Sequence, residues 1–254
     1  MTNTFYNFMA LIFVCLIVQL AYSFWIIPTV QVLEIAANNS DQMLPRNFFI
    51  IVKDLEQKIC FILFFWGLYL CASKFQQITA HSYLFDVDFL TEIEDTSSDI
   101  EHTLDSIEKL PNDIRETPLV HITSSALRRY AITGSIQNAS EAITPALENM
   151  AIKNESELSV IKYVTWAIPS IGFLGTVRGI GQAMSQAQLA VAGDIAPMTS
   201  SLGVAFNSTF VALLVSLVLM LFVSVLQRRN DDHLVMVQEY CEKYLIKRIS
   251  TSRH

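Results

Sequence analysis

LGVAFNSTFVALLVSLVLMLFVSVL, from Leu202 to Leu226, is twenty-five consecutive residues without a charge. A helix needs about 20 apolar residues to cross the hydrocarbon of a bilayer, so this stretch reads as a span. Working outward, three more apolar blocks appear. Phe8 to Ile27, FMALIFVCLIVQLAYSFWII, is uncharged throughout. Ile59 to Ala72, ICFILFFWGLYLCA, is uncharged but short, and reaches spanning length only if its helix begins near Phe48 with Lys53, Asp54, Glu56 and Lys58 at headgroup level. Tyr163 to Ala183 is uncharged except for Arg178. The expectation is an all-α polytopic membrane protein with four transmembrane helices, at about 8–27, 48–73, 162–184 and 200–227, and a helical cytoplasmic loop. The organisation is then an N-terminal hairpin over 1–75, the loop over 76–160, a second hairpin over 161–227 and a tail over 228–254.

Composition agrees. Of 254 residues, 52% are hydrophobic and only 16% charged, where soluble domains carry about 25% charged. The net charge of -7 argues against a nucleic-acid binder, which needs a basic patch. The first block is read as a retained helix, not a signal peptide, because MTNTFYN before it has no Lys or Arg and no small-residue cleavage site follows. Basic residues set the orientation. Seven lie between Ser73 and Lys162 and six in the tail, against three between the first two helices and none between Ser185 and Ser201. The loop, the tail and both termini are therefore expected on the cytoplasmic side. Cys15, Cys60, Cys71 and Cys241 sit in apolar helices or the tail, where packing is their expected role and no disulfide is expected.

The loop carries fifteen acids between Asp86 and Glu157. Phe89, Ile93, Ile100, Leu104 and Ile107 recur at helical spacing, with Ser98 and Glu101 as a capping box and Pro111 as a stop. A second pattern, Ile136, Ala139, Ile143, Leu147 and Met150, leads toward the third span, with Pro145 as a kink candidate. These read as amphipathic helices, bundled or extending the membrane helices inward. The five histidines, His81, His102, His121, His233 and His254, show no ligand spacing, and no triad, phosphate loop or paired carboxylate suggests an enzyme.

The third and fourth helices hold the polar residues that need a reason. In AIPSIGFLGTVRGIGQAM, Ala167 to Met184, Gly172, Gly175 and Gly179 lie three and four apart, which admits a close helix neighbour. Pro169 frees the Thr165 carbonyl and is expected to bend the helix. Thr176 falls on the glycine face. On the fourth helix Ala205, Ser208, Thr209, Ala212 and Ser216 form a small and hydroxyl stripe, which either a close neighbour or a water-filled path would explain. Asn207 and Arg178 each point about 160° from the threonine beside them. Asn207 is expected to bond another helix. Arg178 reads as a snorkelling or subunit-contact arginine, with Asp194 as a candidate partner, or alternatively as an electrostatic gate.

The stretches IGFLGTVRGIG (Ile171 to Gly181), Ala196-Pro197 and LGVAFNSTFVALL (Leu202 to Leu214) resemble the MotA/TolQ/ExbB family, the ion-channel subunits of membrane motors. The four-helix order with a large loop after the second helix is more similar to the MotA branch. The resemblance implies a homopentamer around two copies of a single-span partner similar to MotB, TolR or ExbD, which carries a membrane aspartate. It also implies the bacterial inner membrane, and that Thr176 and Thr209 face the ion path. The remaining stripe residues, Ser208, Ala205, Ala212 and Ser216, are candidates for the same path. No cofactor is expected, and the transported ion is expected to be a proton, with sodium the alternative. Rival readings are a passive membrane scaffold, in which the small residues serve only assembly, and a four-span solute transporter, against which the absence of internal repeats counts. The spans read as free of carboxylates, which leaves the ion-binding acid to the partner.

Overall fold

The computed structural model describes residues 2–39, 47–80, 82–85 and 97–246. All regular structure among them is helical. Helix α1 (Thr2–Ala21) passes through a π-helical segment, Tyr22–Ile26, into α2 (Ile27–Asn39). The wider turn lies directly before Pro28, whose ring would clash with the carbonyl four residues back in a regular helix. Then follow α3 (Phe48–Ile51), α4 (Leu55–Ala80), a 3-10 turn (Ser82–Phe85), α5 (Ser97–Glu108), α6 (Asn112–Arg115), α7 (Pro118–Thr133), α8 (Ile136–Ser185), α9 (Ala187–Val191) and α10 (Ala196–Tyr240), which ends in a π-helical segment, Cys241–Ile246. Four stretches are long and apolar enough to cross a membrane: Phe5–Ala36, Leu55–Phe85, Ile136–Ser185 and Ala196–Ile246. The four spans read from the sequence are present.

Their limits need correction. The second span is not one helix from Phe48. Val52 turns out of the helical region (φ -101°, ψ 6°), and α4 starts only at Leu55. Asp54 takes the position before that helix, where aspartate is favoured because its side chain can meet free backbone N–H groups. The elbow is also held from α1–α2: the Tyr22 hydroxyl donates to the Val52 carbonyl at 2.7 Å, and Lys53 pairs with Glu34 at 2.6 Å. The third span is the end of a helix of 50 residues that includes the whole Ile136-to-Met150 pattern, and it stays helical through both Pro145 and Pro169. Both alternatives for that pattern are observed together: it is continuous with a membrane helix, and its Ile143 packs into a bundle with the other helices of its unit.

The chain divides into two compact units. The first comprises Met1–Ala72 with Val160–Ser224, and holds the membrane-spanning parts. The second comprises Ser73–Ser159 with Val225–His254. Its core is built on α7, whose Leu119, Val120, Ile122, Ala126 and Leu127 are buried with Ile100 and Ile107 of α5, Ile143 of α8 and Val237 and Tyr240 of α10. Pro118 suits the first turn of α7, where its missing N–H would have no partner anyway. Gly134 closes the helix in the left-handed region (φ 58°), its N–H donating to Tyr130 O at 2.8 Å. Ile100 and Ile107 thus lie inward as their spacing predicts. Phe89, Ile93, His81 and His254 lie outside the described residues, as does the side chain of Ser98. His233 packs edge-on to Phe85, with ring centroids 5.2 Å apart, and burial lowers its affinity for a proton.

Candidate functional site

The first unit brings the glycine face of α8 against the small-residue stripe of α10. The two sets mesh residue by residue. A Cβ on Gly172 would overlap that of Ala212. One on Gly175 would fall 2.5 Å from the Ser208 Cβ, and one on Gly179 would fall 2.8 Å from the Ala205 backbone nitrogen. Real side chains do not approach so closely, so only glycine permits this crossing. Ala205, Ser208, Ala212 and Ser216 are buried, while Phe206, Phe210, Leu213, Leu214 and Leu217 are exposed. The stripe predicted from periodicity is real, and its close neighbour is α8.

Thr176 and Thr209 meet in this interface and remain half-buried. Their hydroxyls are hydrogen-bonded to each other. Thr176 Oγ1 can also donate to Gly172 O at 3.2 Å or Ala205 O at 3.4 Å, and Thr209 Oγ1 to Gly172 O at 3.3 Å. Each hydroxyl has one proton and two lone pairs. The pair therefore keeps acceptor capacity after its own bonds are made, and can receive a hydrogen bond from water or from a protonated carboxyl.

Ser216 does separate work. Pro169 removes the N–H that would satisfy the Thr165 carbonyl, and Ser216 Oγ donates to that carbonyl at 3.3 Å. Ser216→Ala should leave a buried acceptor unpaired. We expect a loss of about 1 kcal/mol, in line with hydrogen bonds between membrane helices, read as a lower thermal midpoint of the detergent-solubilised chain. Ser216→Thr should keep it.

Arg178 does not pair with Asp194. Asp194 Oδ1 instead accepts the Ala196 N–H at 3.3 Å, ahead of α10. Arg178 Nη2 reaches Glu56 Oε2 of α4 at 2.8 Å, with side-chain exposures of 42% and 12%. This corrects two expectations: the partner is an acid of the second helix, and a carboxylate does stand against the channel-like helices. The uneven exposure gives a directional test. Glu56→Gln leaves an arginine able to reach polar surroundings, at a cost of well under 1 kcal/mol. Arg178→Ala leaves an enclosed acid alone and should cost about 2 kcal/mol, between surface and fully buried pairs. The double variant should recover most of that loss. Equal single effects in thermal unfolding would contradict this reading.

Sequence reasoning missed Gln57 entirely. It is 0% exposed, and its Nε2 donates to Ser208 Oγ at 3.3 Å, while Ser208 donates to Val204 O at 2.9 Å. A signal existed: Gln57, Cys60, Gly67 and Cys71 fall three, seven and four apart on one face of α4. Asn207 is half-buried, and its side chain bonds to none of the described residues.

These features define a polytopic helical membrane protein with a hydroxyl pair set into a small-residue helix interface. Residues 115–239, which contain both threonines, match the family model of the MotA/TolQ/ExbB proton channel family. Over that segment the chain is similar to this family, which supports in general terms an ion-channel motor subunit of a membrane. Searches of curated proteins and of solved structures return no match. Glu56, Gln57 and the elbow before them lie outside the matched segment.

Proposed function

We propose that this chain is the ion-conducting, stator-type subunit of a rotary motor, working as a pentamer around two copies of a single-span partner of the MotB, TolR or ExbD kind. The observation that carries the proposal is the half-buried Thr176–Thr209 pair, lying in the family segment with acceptor capacity to spare. The partner's membrane aspartate takes up an ion, passes the hydroxyl pair of one subunit, and releases it on the other side. Successive passages step the pentamer around the central dimer. The ion is a proton, with sodium the alternative. The chain lies in a bacterial inner membrane with both termini, the 76–160 region and the tail on the cytoplasmic side, as the basic residues direct. The pore acid is the partner's in this reading; among the described residues the hydroxyls of Thr176 and Thr209 bond each other and the Gly172 and Ala205 carbonyls.

The scaffold reading has one observation in its favour: glycine-on-alanine packing accounts for Ala205, Ala212 and Ser208 without any ion. The two readings separate on one experiment. The chain is co-expressed with the single-span protein of a neighbouring reading frame, purified, sized and reconstituted in vesicles under an imposed proton or sodium gradient. A five-to-two complex with gradient-driven flux supports the motor. A homo-oligomer that binds no partner and passes no ion supports the scaffold.

A further inference from the structure

The start of α4 reaches both helices of the threonine site with two consecutive side chains. Glu56 Oε2 accepts from Arg178 Nη2 of α8 at 2.8 Å, and Gln57 Nε2 donates to Ser208 Oγ of α10 at 3.3 Å. Both contacts flank the hydroxyl pair: Arg178 is two residues after Thr176, and Ser208 directly precedes Thr209. They also meet where α8 and α10 cross. A Cβ on Gly175 would stand 2.7 Å from Ser208 Oγ and 3.2 Å from Glu56 Cγ.

Ser208 differs from the threonines in what it has left to offer. It is enclosed, gives its proton to Val204 O at 2.9 Å and accepts from Gln57, whereas Thr176 and Thr209 are half-buried. It serves as an anchor and not as part of the path. The Gln57 amide donates to Ser208 and to the Asp54 carboxylate at the head of α4. Its Oε1 is buried and has no hydrogen-bond partner among the described residues. An unmatched buried acceptor costs stability that a methionine or leucine of similar size would not. Filling the space between α4 and α10 therefore does not account for an amide at this position, whereas holding the Ser208 hydroxyl does.

We propose that Gln57 is a positioning residue of the ion path: through Ser208 it fixes the turn of α10 that carries Thr209, while Glu56 beside it fixes the turn of α8 that carries Thr176. Sliding or rotating one helix against the other stretches one of the two ties, so the hydroxyls stay aligned as a carboxyl passes. An ångström of misplacement can cost about 100-fold in rate. The site is then built from three helices, and α4 lies outside the matched residues 115–239. Gln57 has this role only if the threonine pair conducts, so it rests on the motor reading.

The test is gradient-driven flux through vesicles holding the full chain with its single-span partner. Gln57→Met keeps the length of the side chain and removes its donor. Ser208→Ala removes the acceptor and leaves Gln57 and Asp54 in place. Each should slow flux about tenfold, the equivalent of one hydrogen bond, with the complex still assembled. Each should slow it no further in a Thr209→Ala background, because the hydroxyl being positioned is gone. A merely structural loss would slow both backgrounds alike. Should Gln57→Met fail to fold, Ser208→Ala carries the same comparison. Undiminished flux in either folded variant, or equal slowing with and without Thr209, overturns the proposal. A wild-type complex that passes no ion removes the motor reading and this role together, whereas a conducting complex indifferent to Gln57 removes the role alone.

Discussion

Thr176→Ala combined with Thr209→Ala should slow partner-dependent ion flux about 10- to 100-fold while leaving the chain folded. The folding side of this expectation follows from the bonding around the pair. Both hydroxyls address the Gly172 carbonyl, and Thr176 also reaches Ala205 O. These carbonyls already belong to helix turns, so losing a threonine proton strands no buried backbone group. The stability cost should stay near 1 kcal/mol. The flux side follows from what the pair offers a passing carboxyl. Removing a hydrogen bond worth about 1–3 kcal/mol from the highest point of the path slows passage about 10- to 100-fold. Either single alanine leaves one hydroxyl beside the same carbonyl, so the single variants should be milder and their effects not multiplicative. Serine at both positions keeps the hydroxyls and should restore most of the flux. Vesicle flux in the partner complex measures all four. Undiminished flux in the double alanine variant would sink the assigned role of the pair.

Which parts of this arrangement could be read in advance depends on how far each interaction reaches along the chain. The spans were legible because transfer into lipid is a property of one charge-free segment at a time. The stripe on α10 and the glycine face on α8 were legible for the same reason: each is a periodicity within one helix. The pairing of faces needs two helices, and here the sequence offered only the choice between a neighbour and a water path. Gln57 was lost in a run that looks like headgroup-level polarity, DLEQK. Its burial depends on Ser208, 151 residues later. Glu56 was set aside on the same grounds, although its partner Arg178 is 122 residues away. The break before α4 rests on Tyr22 taking the Val52 carbonyl, 30 residues apart. Asp194 was a reasonable partner for Arg178 by proximity in sequence, but a helix start two residues away claimed it.

The glycines supply the largest expected effect on assembly, and one whose sign changes with position. Gly179 is the most demanding site. A Cβ there would stand 2.7 Å from the Ala205 Cβ, 2.8 Å from its nitrogen and 2.9 Å from its Cα. Backbone atoms cannot rotate aside, so the helices must separate and take the Thr176–Thr209 contact with them. Gly179→Ala should cost about 2 kcal/mol or more, at the upper end of overpacking, and Gly179→Leu should prevent recovery of a monodisperse protein. At Gly67 the obstruction is the Leu219 side chain at 2.8 Å, which can change rotamer, so Gly67→Ala should be milder. Gly181 and Gly203 also lie in helices, but beyond the local helix backbone no atom of the described residues comes within 4 Å of a Cβ built on either. Alanine at those two positions has no clash to overcome and gains up to about 1 kcal/mol of helix propensity. The thermal midpoint should therefore fall for Gly179→Ala, fall less for Gly67→Ala, and hold or rise for Gly181→Ala and Gly203→Ala. A uniform response across the four would mean that the α8–α10 interface does not hold the first unit together. A loss confined to Gly181 or Gly203 would instead locate a contact between copies of the chain, since nothing within one copy stands in the way.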